Sequence, residues 1–357
     1  MKTLRVGVIG VGTIAKVAHL PNYAKRADVQ VVAFADPEVE RVEGIARQYA
    51  KDHNVEKPTV YKSAADMFAA ENLDAVSICT PNTSHVELAK QALDANVHVL
   101  LEKPMSVKLE DADELLAKAN QSDKILMVGM SNRYRQDATV LKRYVESGAL
   151  GNIYYGKTRI LRRRGTPTGW FTDLAISGGG PLMDIGVHAL DLAWWLAGTP
   201  KVKSVTGIMA QGIGNKNKLD FNRTWRASSA GNENNEIFTT EDLASAFIRF
   251  ENGFTLQLEV SWALNGPQDS ALKVELFGSE GGISLDPLAY YGVKHGVLTT
   301  ETPDVAVGDL YNRELNHFVD CVQSGETPCS TVQQGRDVVE ILAAITKSAE
   351  TGREVLL

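Results

Sequence analysis

Gly10-Val11-Gly12-Thr13-Ile14-Ala15 is the stretch that decides the fold. It follows the apolar run Leu4–Ile9, which predicts a strand, and it opens Ile14–Lys25, which predicts a helix. The first glycine permits a tight turn, the second lets the backbone approach a pyrophosphate, and the small third residue permits close helix packing. The positive helix N-terminus attracts the phosphates. This context favours a dinucleotide-binding turn over a purely structural one, with the contacts assigned to Gly10, Gly12, Thr13, Ile14 and Ala15.

Asp36 indicates which dinucleotide is bound. It ends the second predicted strand, Val29–Ala35, where a carboxylate accepts hydrogen bonds from the adenosine ribose hydroxyls of NAD. The same carboxylate would repel the 2′-phosphate of NADP, and the next residue is Pro37 instead of an arginine that could hold that phosphate. NAD is therefore the predicted cofactor, with Arg41 on the next helix as the residue that could still serve NADP.

The first third of the chain alternates apolar runs with helical patterns. Such alternation predicts βαβ units and a parallel sheet covered on both faces. Further strands are predicted at Ala75–Cys79, Val97–Leu101 and Ile125–Val128. Further helices are predicted at Val39–Tyr49, His85–Ala95 and Leu109–Asn120. These elements predict an α/β fold with an N-terminal Rossmann dinucleotide-binding domain over residues 1–128.

After Gly129 the pattern changes to period two. Phe254–Trp262 alternates strictly, with Phe254, Leu256, Leu258, Val260 and Trp262 on one side, which is typical of a half-buried strand. The turn Glu251–Gly253 joins it to Leu243–Phe250 as a hairpin. Other predicted elements are the strands Val202–Ile208 and Leu272–Phe277 and the closing helix Gln333–Ala349. Residues 129–357 are thus predicted to form an α+β domain with a large, mostly antiparallel open sheet, whose uncovered face forms a homodimer or homotetramer contact.

The composition excludes several classes of protein. A net charge of −7 argues against a nucleic-acid partner, and no run approaches the roughly 20 apolar residues of a membrane span. Three cysteines are too few for a disulfide scaffold and lack zinc-ligand spacing, and the seven histidines show no ligand spacing, so no metal is predicted. Met1–Lys2 leads directly into a strand pattern without a signal peptide, which predicts a cytoplasmic location.

Two clusters carry chemistry. Glu102-Lys103-Pro104 ends a buried strand, at the edge where open α/β sheets bind ligands, although a surface turn is the ordinary interpretation of such a lysine. Leu182–Leu196 is apolar nearly all round, which predicts a buried helix. Asp184, His188 and Asp191 are spaced to share one face of it. They form either a core network or the polar floor of a substrate pocket, and their spacing leaves both interpretations open.

In combination these motifs resemble the glucose–fructose oxidoreductase / inositol dehydrogenase / MocA (Gfo/Idh/MocA) family. The resemblance rests on the glycine stretch, Cys79–His85, Glu102-Lys103-Pro104 and Gly180…Asp184…Gly186…His188, and it extends through Phe277–Gly281 and two closing helices. It implies a Rossmann domain followed by an α+β domain whose open sheet serves oligomerisation.

The resemblance also implies roles for single residues. Lys103 matches the catalytic lysine that hydrogen-bonds the reacting oxygen. His188 matches the residue that takes the hydroxyl proton, and Asp184 the carboxylate that holds its ring or binds substrate. The nicotinamide half of the groove is assigned to Thr80, Pro81, Asn82, His85, Glu102 and Lys103. Pocket side chains that contact substrate are expected at Asn132, Arg133 and Tyr134.

A loop before the buried helix offers further substrate contacts. Arg163 and Trp170 flank the glycine- and proline-containing segment Gly165–Gly169. Aromatic and guanidinium groups together suit a polyhydroxylated ring, which has an apolar face and hydrogen-bonding hydroxyls. A subunit contact is the equal alternative for these residues.

The sequence therefore predicts an NAD-dependent oxidoreductase. Hydride would pass between a sugar, inositol or polyol hydroxyl carbon and the nicotinamide. Two alternatives are an NAD-retaining glycosidase of the same fold and a non-catalytic dinucleotide-binding regulator. The presence of Lys103, Asp184 and His188 argues against the regulator, because a sensor needs no proton-transfer groups.

Overall fold

The computed structural model describes residues 3–216, 236–306 and 308–357. They form two compact units: residues 3–129 with 311–336, and residues 130–216, 236–306 and 308–310 with 337–357. This grouping differs from the predicted division at residues 128/129 in the segment 311–336. The reason is that this segment bonds to the first unit: Asp320 accepts from Arg26 at 2.7 Å and Ser330 donates to the Val128 carbonyl at 2.6 Å. Met1 and Lys2 lie outside the described residues.

The first unit contains a parallel sheet of six strands in the order β3-β2-β1-β4-β5-β6, which confirms the predicted Rossmann domain. The strands are β1 (Leu4–Ile9), β2 (Val29–Ala35), β3 (Thr59–Tyr61), β4 (Ala75–Ile78), β5 (His98–Glu102) and β6 (Leu126–Gly129). The helices are α1 (a π-helical turn Ala15–His19 continued by Leu20–Tyr23), α2 (Val39–His53), α3 (Ala64–Ala70), α4 (His85–Asp94) and α5 (Leu109–Ala119). Strand β3 and helix α3 were not predicted from the sequence.

The order of the strands positions the ligand site. Strand β1 lies between β2 and β4, so the connections leave it in opposite directions along the sheet. In open α/β sheets the crevice at the carboxyl ends of such strands binds ligands. Val6 and Val8 of β1 are fully buried, which fixes the strand that carries the glycine turn.

The second unit contains a mostly antiparallel sheet of nine strands in the order β14-β13-β12-β11-β7-β10-β9-β8-β15, as predicted. The strands are β7 (Ile153–Leu161), β8 (Val202–Ala210), β9 (Leu243–Phe250), β10 (Thr255–Ser261), β11 (Lys273–Gly278), β12 (Gly282–Leu285), β13 (Leu288–Lys294), β14 (Val297–Glu301) and β15 (Val355–Leu356). The helices of the rest of the chain are α6 (Gln136–Glu146), α7 (Leu174–Ser177), α8 (Val187–Leu196, preceded by a π-helical turn Leu182–Gly186), α9 (Leu310–Ser324) and α10 (Val332–Thr351).

The core of the second unit lies on one face of this sheet. The alternating residues of Phe254–Trp262 predicted to face inward are all fully buried. Strand β10 pairs antiparallel with β9 and parallel with β7, a parallel pair that the sequence analysis did not include. Helix α8 packs against β7, β10 and β11, which buries it nearly all round as predicted. Within the described ranges, no helix is both long and apolar enough to cross a membrane.

Candidate functional site

The turn after β1 leaves no room for a side chain at its first glycine. Gly10 has φ +81°, and a Cβ there would lie 2.7 Å from Cγ2 of Thr80 and 2.9 Å from the Cys79 carbonyl. Its N–H donates to the Ala35 carbonyl at 2.8 Å, so the turn is held against the end of β2. The turn is therefore packed against the end of β4, and Gly12, which is half-buried and also lacks a side chain, fits the approach of a dinucleotide pyrophosphate.

The rest of the glycine stretch divides into two groups. Gly12, Thr13 and Ile14 are half-buried where the first helix begins, whereas Ala15 is fully buried. Ala15 thus supports helix packing, and the three residues before it are the ones accessible to a ligand.

Asp36 is held at the end of β2 by three hydrogen bonds. It accepts from the backbone N–H groups of Val11 and Glu38, both at 2.9 Å, and from Arg41 Nη2 at 3.1 Å. Arg41 also donates to the Val11 carbonyl at 3.0 Å. The carboxylate is thereby fixed beside the glycine turn, where a ribose hydroxyl of NAD would meet it. Arg41 is bound to Asp36 in this arrangement, so its guanidinium group is occupied by that carboxylate.

His85 supports this edge of the sheet from within. Its side chain is fully buried, and its ring nitrogens lie 2.9 Å from the Thr80 carbonyl and 2.7 Å from the Pro104 carbonyl. Burial lowers the pKa of His85, while the hydrogen bonds to these two carbonyl oxygens act to raise it. His85 therefore joins the loops after β4 and β5, which does not support its predicted place on the groove surface. Among the other groove candidates, Asn82 is buried, and the half-buried ones are Thr80, Pro81, Glu102 and Lys103.

Glu102 and Lys103 lie where β5 ends. Glu102 Oε2 accepts the backbone N–H of Lys103 at 3.2 Å, and Glu102 Oε1 lies 2.9 Å from Nε2 of His19. His19, the last residue of the π-helical turn in the first helix, was not predicted from the sequence. A histidine between the apolar residues Ala18 and Leu20 of the first helix was the available signal.

Asp184 and His188 are half-buried at the start of the central helix of the second unit. Asp184 lies in the π-helical turn, a geometry that occurs frequently at functional sites, and His188 lies in the first turn of α8. The indole N–H of the fully buried Trp262 donates to Asp184 Oδ2 at 3.0 Å. The carboxylate is oriented by the core of the sheet.

Glu241 holds the beginning of the same π-helical turn. It accepts from the backbone N–H groups of Gly180 at 2.8 Å and Leu182 at 3.1 Å. Burial raises the pKa of Glu241, while these two bonds act to lower it. A Cβ at Gly180 would lie 2.1 Å from the Glu241 carbonyl oxygen, so the close approach requires glycine. Glu241 was not predicted from the sequence, because its partners lie about 60 residues away in the chain.

Arg133 and Asp191 form a buried ion pair. Arg133 donates to both oxygens of Asp191 at 2.9 and 2.6 Å, and the two side chains are 0% and 2% exposed. This burial does not support the predicted substrate contact of Arg133. Asp191 is thus paired within the core, whereas Asp184 is half-buried. Tyr134 is buried as well, and only Asn132 of this group is half-buried.

The loop that carries Arg163 and Trp170 is anchored beside Trp262. Gly165 donates to the Trp262 carbonyl at 2.7 Å, and Thr172 Oγ1 donates to the Ile237 carbonyl at 2.7 Å. Trp170 is half-buried and stacks on Phe171 with ring centroids 4.1 Å apart, whereas Arg163 is exposed. The same tryptophan thus supports this loop through its backbone and Asp184 through its indole.

The candidate residues are distributed over both units. The glycine turn, Asp36, Glu102 and Lys103 belong to the first unit, and Asp184, His188, Arg163 and Trp170 belong to the second. In the part of the chain that the structure describes, no group of three or more His, Cys, Asp or Glu side chains could hold a metal ion. The residues fit nucleotide binding in one unit and hydroxyl chemistry in the other.

Comparison with known proteins gives matches along the whole chain. Residues 4–130 match the family described as "Oxidoreductase family, NAD-binding Rossmann fold", and residues 139–284 match the "GFO/IDH/MocA C-terminal domain". D-glucoside 3-dehydrogenase of Escherichia coli is 34% identical, over 99% of this chain and 97% of the relative. Myo-inositol 2-dehydrogenase of Thermotoga maritima is 28% identical, over 99% and 98%.

Solved structures show the same fold. Levoglucosan dehydrogenase in complex with NADH and levoglucosan superposes with a TM-score of 0.81 at 22% identity, covering 99% of both chains. Aldose-aldose oxidoreductase from Caulobacter crescentus, complexed with glycerol, gives a TM-score of 0.80 at 21% identity over the full length of both.

Proposed function

The chain belongs to the GFO/IDH/MocA family of NAD-binding oxidoreductases, and from this premise we propose that it oxidises a secondary hydroxyl of a sugar, glycoside or inositol. The observation that carries the proposal is the bond from Trp262 to Asp184. It fixes a half-buried carboxylate four residues before His188, on a helix start that the core holds in place. The 34% identity with a D-glucoside 3-dehydrogenase supports a glucoside as the first substrate to test.

Alcohol oxidation requires removal of the hydroxyl proton as hydride leaves carbon, and NAD supplies the hydride acceptor when bound. In our proposal a ring nitrogen of the neutral His188 accepts that proton. Asp184 orients the ring or accepts a substrate hydroxyl. The Lys103 ammonium donates to the reacting oxygen and stabilises the negative charge that develops on it.

The residues of the first unit have a separate role. Gly10 and its neighbours admit the pyrophosphate, and Asp36 accepts the ribose hydroxyls. Asp36 is also the basis for proposing NAD in preference to NADP. Trp170 and Arg163 are proposed substrate contacts, because one offers an apolar face and the other offers donors to hydroxyl groups.

A substrate panel tests the proposal. Purified protein is mixed with NAD and, in turn, glucosides, free sugars and inositols, and NADH absorbance is followed together with substrate consumption. Stoichiometric NADH with at least one member is the expected result. Release of an aglycone without net NADH would favour the NAD-retaining glycosidase. NAD binding with neither reaction would favour the regulator.

We also propose a cytoplasmic location and a homo-oligomeric assembly. The cysteine content and the composition of the chain support the cytoplasm. The outward face of the nine-stranded sheet carries the exposed side chains Phe247 and Ile208, which supports a homodimer or homotetramer.

A further inference from the structure

A chain of hydrogen bonds runs through the interior of the first unit and ends at Glu102. The Tyr23 hydroxyl lies 2.7 Å from Ser77 Oγ, and Ser77 Oγ lies 3.0 Å from His19 Nδ1. His19 Nε2 lies 2.9 Å from Glu102 Oε1. Tyr23, Ser77 and His19 are at most 1% exposed, whereas the Glu102 side chain is 12% exposed. Three buried groups therefore connect to one carboxylate that reaches the surface of the sheet edge.

The direction of these bonds follows from the chemistry of the groups. Burial raises the pKa of Tyr23, so its hydroxyl stays protonated and can donate to Ser77. Ser77 can then donate to Nδ1 of a neutral His19, which leaves the His19 proton on Nε2, pointing at Glu102. An ionised Glu102 accepts the hydrogen bond that His19 Nε2–H donates. Each of the three donors in this series of hydrogen bonds, Tyr23, Ser77 and His19, then has an acceptor.

If the hydrogen bonds ran in the opposite direction, from Glu102 to Tyr23, one buried proton would have no acceptor. If Glu102 were protonated and donated to His19, His19 would donate to Ser77 and Ser77 to Tyr23. Among the described residues the hydroxyl hydrogen bond of Tyr23 is the one to Ser77. The Tyr23 proton would then have no acceptor in a fully buried position, which is unfavourable. The geometry thus favours an ionised Glu102.

We propose that His19, held in its Nε2–H tautomer by Ser77 and Tyr23, is a positioning residue for hydride transfer that acts through Glu102. The two carboxylate oxygens of Glu102 are bound on opposite sides, one by His19 and the other by the backbone N–H of Lys103. This fixes the start of the turn that carries Lys103 and keeps a negative charge one residue from its ammonium group. The inference rests on the proposed role of Lys103 in alcohol oxidation.

The tautomer is tested without any reaction. The full-length protein is labelled with ¹⁵N histidine, and the His19 ring signals are assigned by their loss in His19→Gln. The expected result is the pattern of a neutral ring with its proton on Nε2. A proton on Nδ1, or an imidazolium at physiological pH, would overturn the proposal.

Activity variants test the positioning. His19→Leu is expected to lower kcat on the order of 10- to 100-fold while NAD affinity changes less than about twofold, since misplacement of a catalytic group is costly. His19→Gln should restore most of the loss, because its amide can donate to Glu102 and accept from Ser77. Wild-type kcat in folded His19→Leu, or a His19→Gln variant as slow as His19→Leu, would contradict the proposal.

A matched control and a milder variant complete the test. His98→Leu removes another histidine that accepts a hydrogen bond in the same unit, from Ile125 N–H at 2.9 Å, and it should leave kcat within about twofold of wild type. If His19→Leu does not fold, Ser77→Ala removes the donor to His19 Nδ1 and should lower kcat and shift the tautomer. If no substrate yields NADH, the proposed function fails while the tautomer result still stands. If NADH forms and the His19 and Ser77 variants match wild type, only this inference fails.

Discussion

The indole N–H of Trp262 donates a hydrogen bond of 3.0 Å to Asp184. Trp262 is fully buried and lies just beyond β10, whose inward residues form the core of the second unit. Packing therefore determines where the indole points, and the indole determines where the Asp184 carboxylate lies. A residue of the core orients a residue of the proposed site.

The first prediction follows from this bond. Trp262→Phe keeps an aromatic ring but removes the donor, so kcat is expected to fall roughly tenfold, the usual effect of one hydrogen bond to a charged group. The cavity left by the smaller phenylalanine ring should lower the free energy of unfolding by about 2 kcal/mol. Trp194→Phe is the control, because its buried indole donates to the Pro200 carbonyl at 2.8 Å instead. Similar destabilisation with unchanged kcat is expected there, and equal kcat losses in both variants would contradict the prediction.

The second prediction concerns cofactor preference. Asp36 should make NAD bind on the order of 100-fold better than NADP, since the 2′-phosphate removes a ribose hydrogen bond and adds charge repulsion. In Asp36→Ser the ratio of NAD affinity to NADP affinity should fall strongly. Arg41 then loses the Asp36 carboxylate, which lies 3.1 Å from it in the wild type, and can bind the 2′-phosphate. Asp36→Ser with Arg41→Ala should bind NADP weakly again. Titration of each protein with both cofactors measures this.

The control for that series is Glu43→Gln. It removes a negative charge from α2, the helix that also carries Arg41, and it does not alter Asp36. In the wild type Glu43 pairs with Lys57 at 2.8 Å. The preference of this variant for NAD over NADP should match that of the wild type. Equal affinity of the wild-type protein for NAD and NADP would show that the carboxylate does not discriminate.

Local patterns carried the main features of the fold. The glycine stretch, Asp36 and the alternation of Phe254–Trp262 are each decided by residues a few positions apart, and the structure bears out the elements they predict. Strand β7 was not predicted, because Gly156 interrupts its apolar pattern and two of its exposed positions, Lys157 and Arg159, are charged. Its stability comes from pairing with β10 and β11, about 100 residues away.

The site was less predictable for the same reason. His19 contacts Ser77 and Glu102, which are 58 and 83 residues away, and Arg133 is bound to Asp191, 58 residues away. Spacing along one helix placed Asp191 with Asp184, yet partners on other elements separate them. A helical pattern shows which face a residue occupies, but it does not show what lies opposite.

The third prediction concerns stability and pH. Burial and, to a smaller extent, the charge of Lys124 lower the pKa of His98 to about 4, and the ring accepts the Ile125 N–H. An unfolded histidine has a pKa of about 6.5, so the unfolded state binds more protons between these values. Stability is therefore fully present above about pH 6.5 and is lost as the pH falls towards about 4. In urea titrations, His98→Asn should lose less stability than wild type over that interval, and parallel curves would contradict this.

The fourth prediction concerns assembly. Phe247 is 37% exposed on the outward face of the sheet, paired with Gln257 on β10 and Thr206 on β8. If this face is covered by a second subunit, Phe247→Asp should convert a dimer or tetramer into smaller species in sedimentation. Leu298→Asp, at a 90% exposed position on the edge strand β14, is the control and should leave the assembly intact. If only Leu298→Asp dissociated the assembly, the interface would lie at the β14 edge and not on the sheet face. A monomeric wild-type protein would contradict the proposed assembly.

The last prediction addresses the proposed chemistry. If His188 accepts the hydroxyl proton and Lys103 stabilises the oxygen, then His188→Asn and Lys103→Met should each lower kcat on the order of 10²–10⁴-fold. NAD affinity should change little in His188→Asn, because the residues assigned to the nucleotide belong to the first unit. Alcohol oxidation by wild type should rise with pH, since only the neutral imidazole can accept a proton. His188→Asn should lose that rise along with its rate, whereas the folded Trp194→Phe protein keeps both. Full activity in His188→Asn would remove the proposed base, and a pH dependence that persists unchanged in it would assign proton removal to another group.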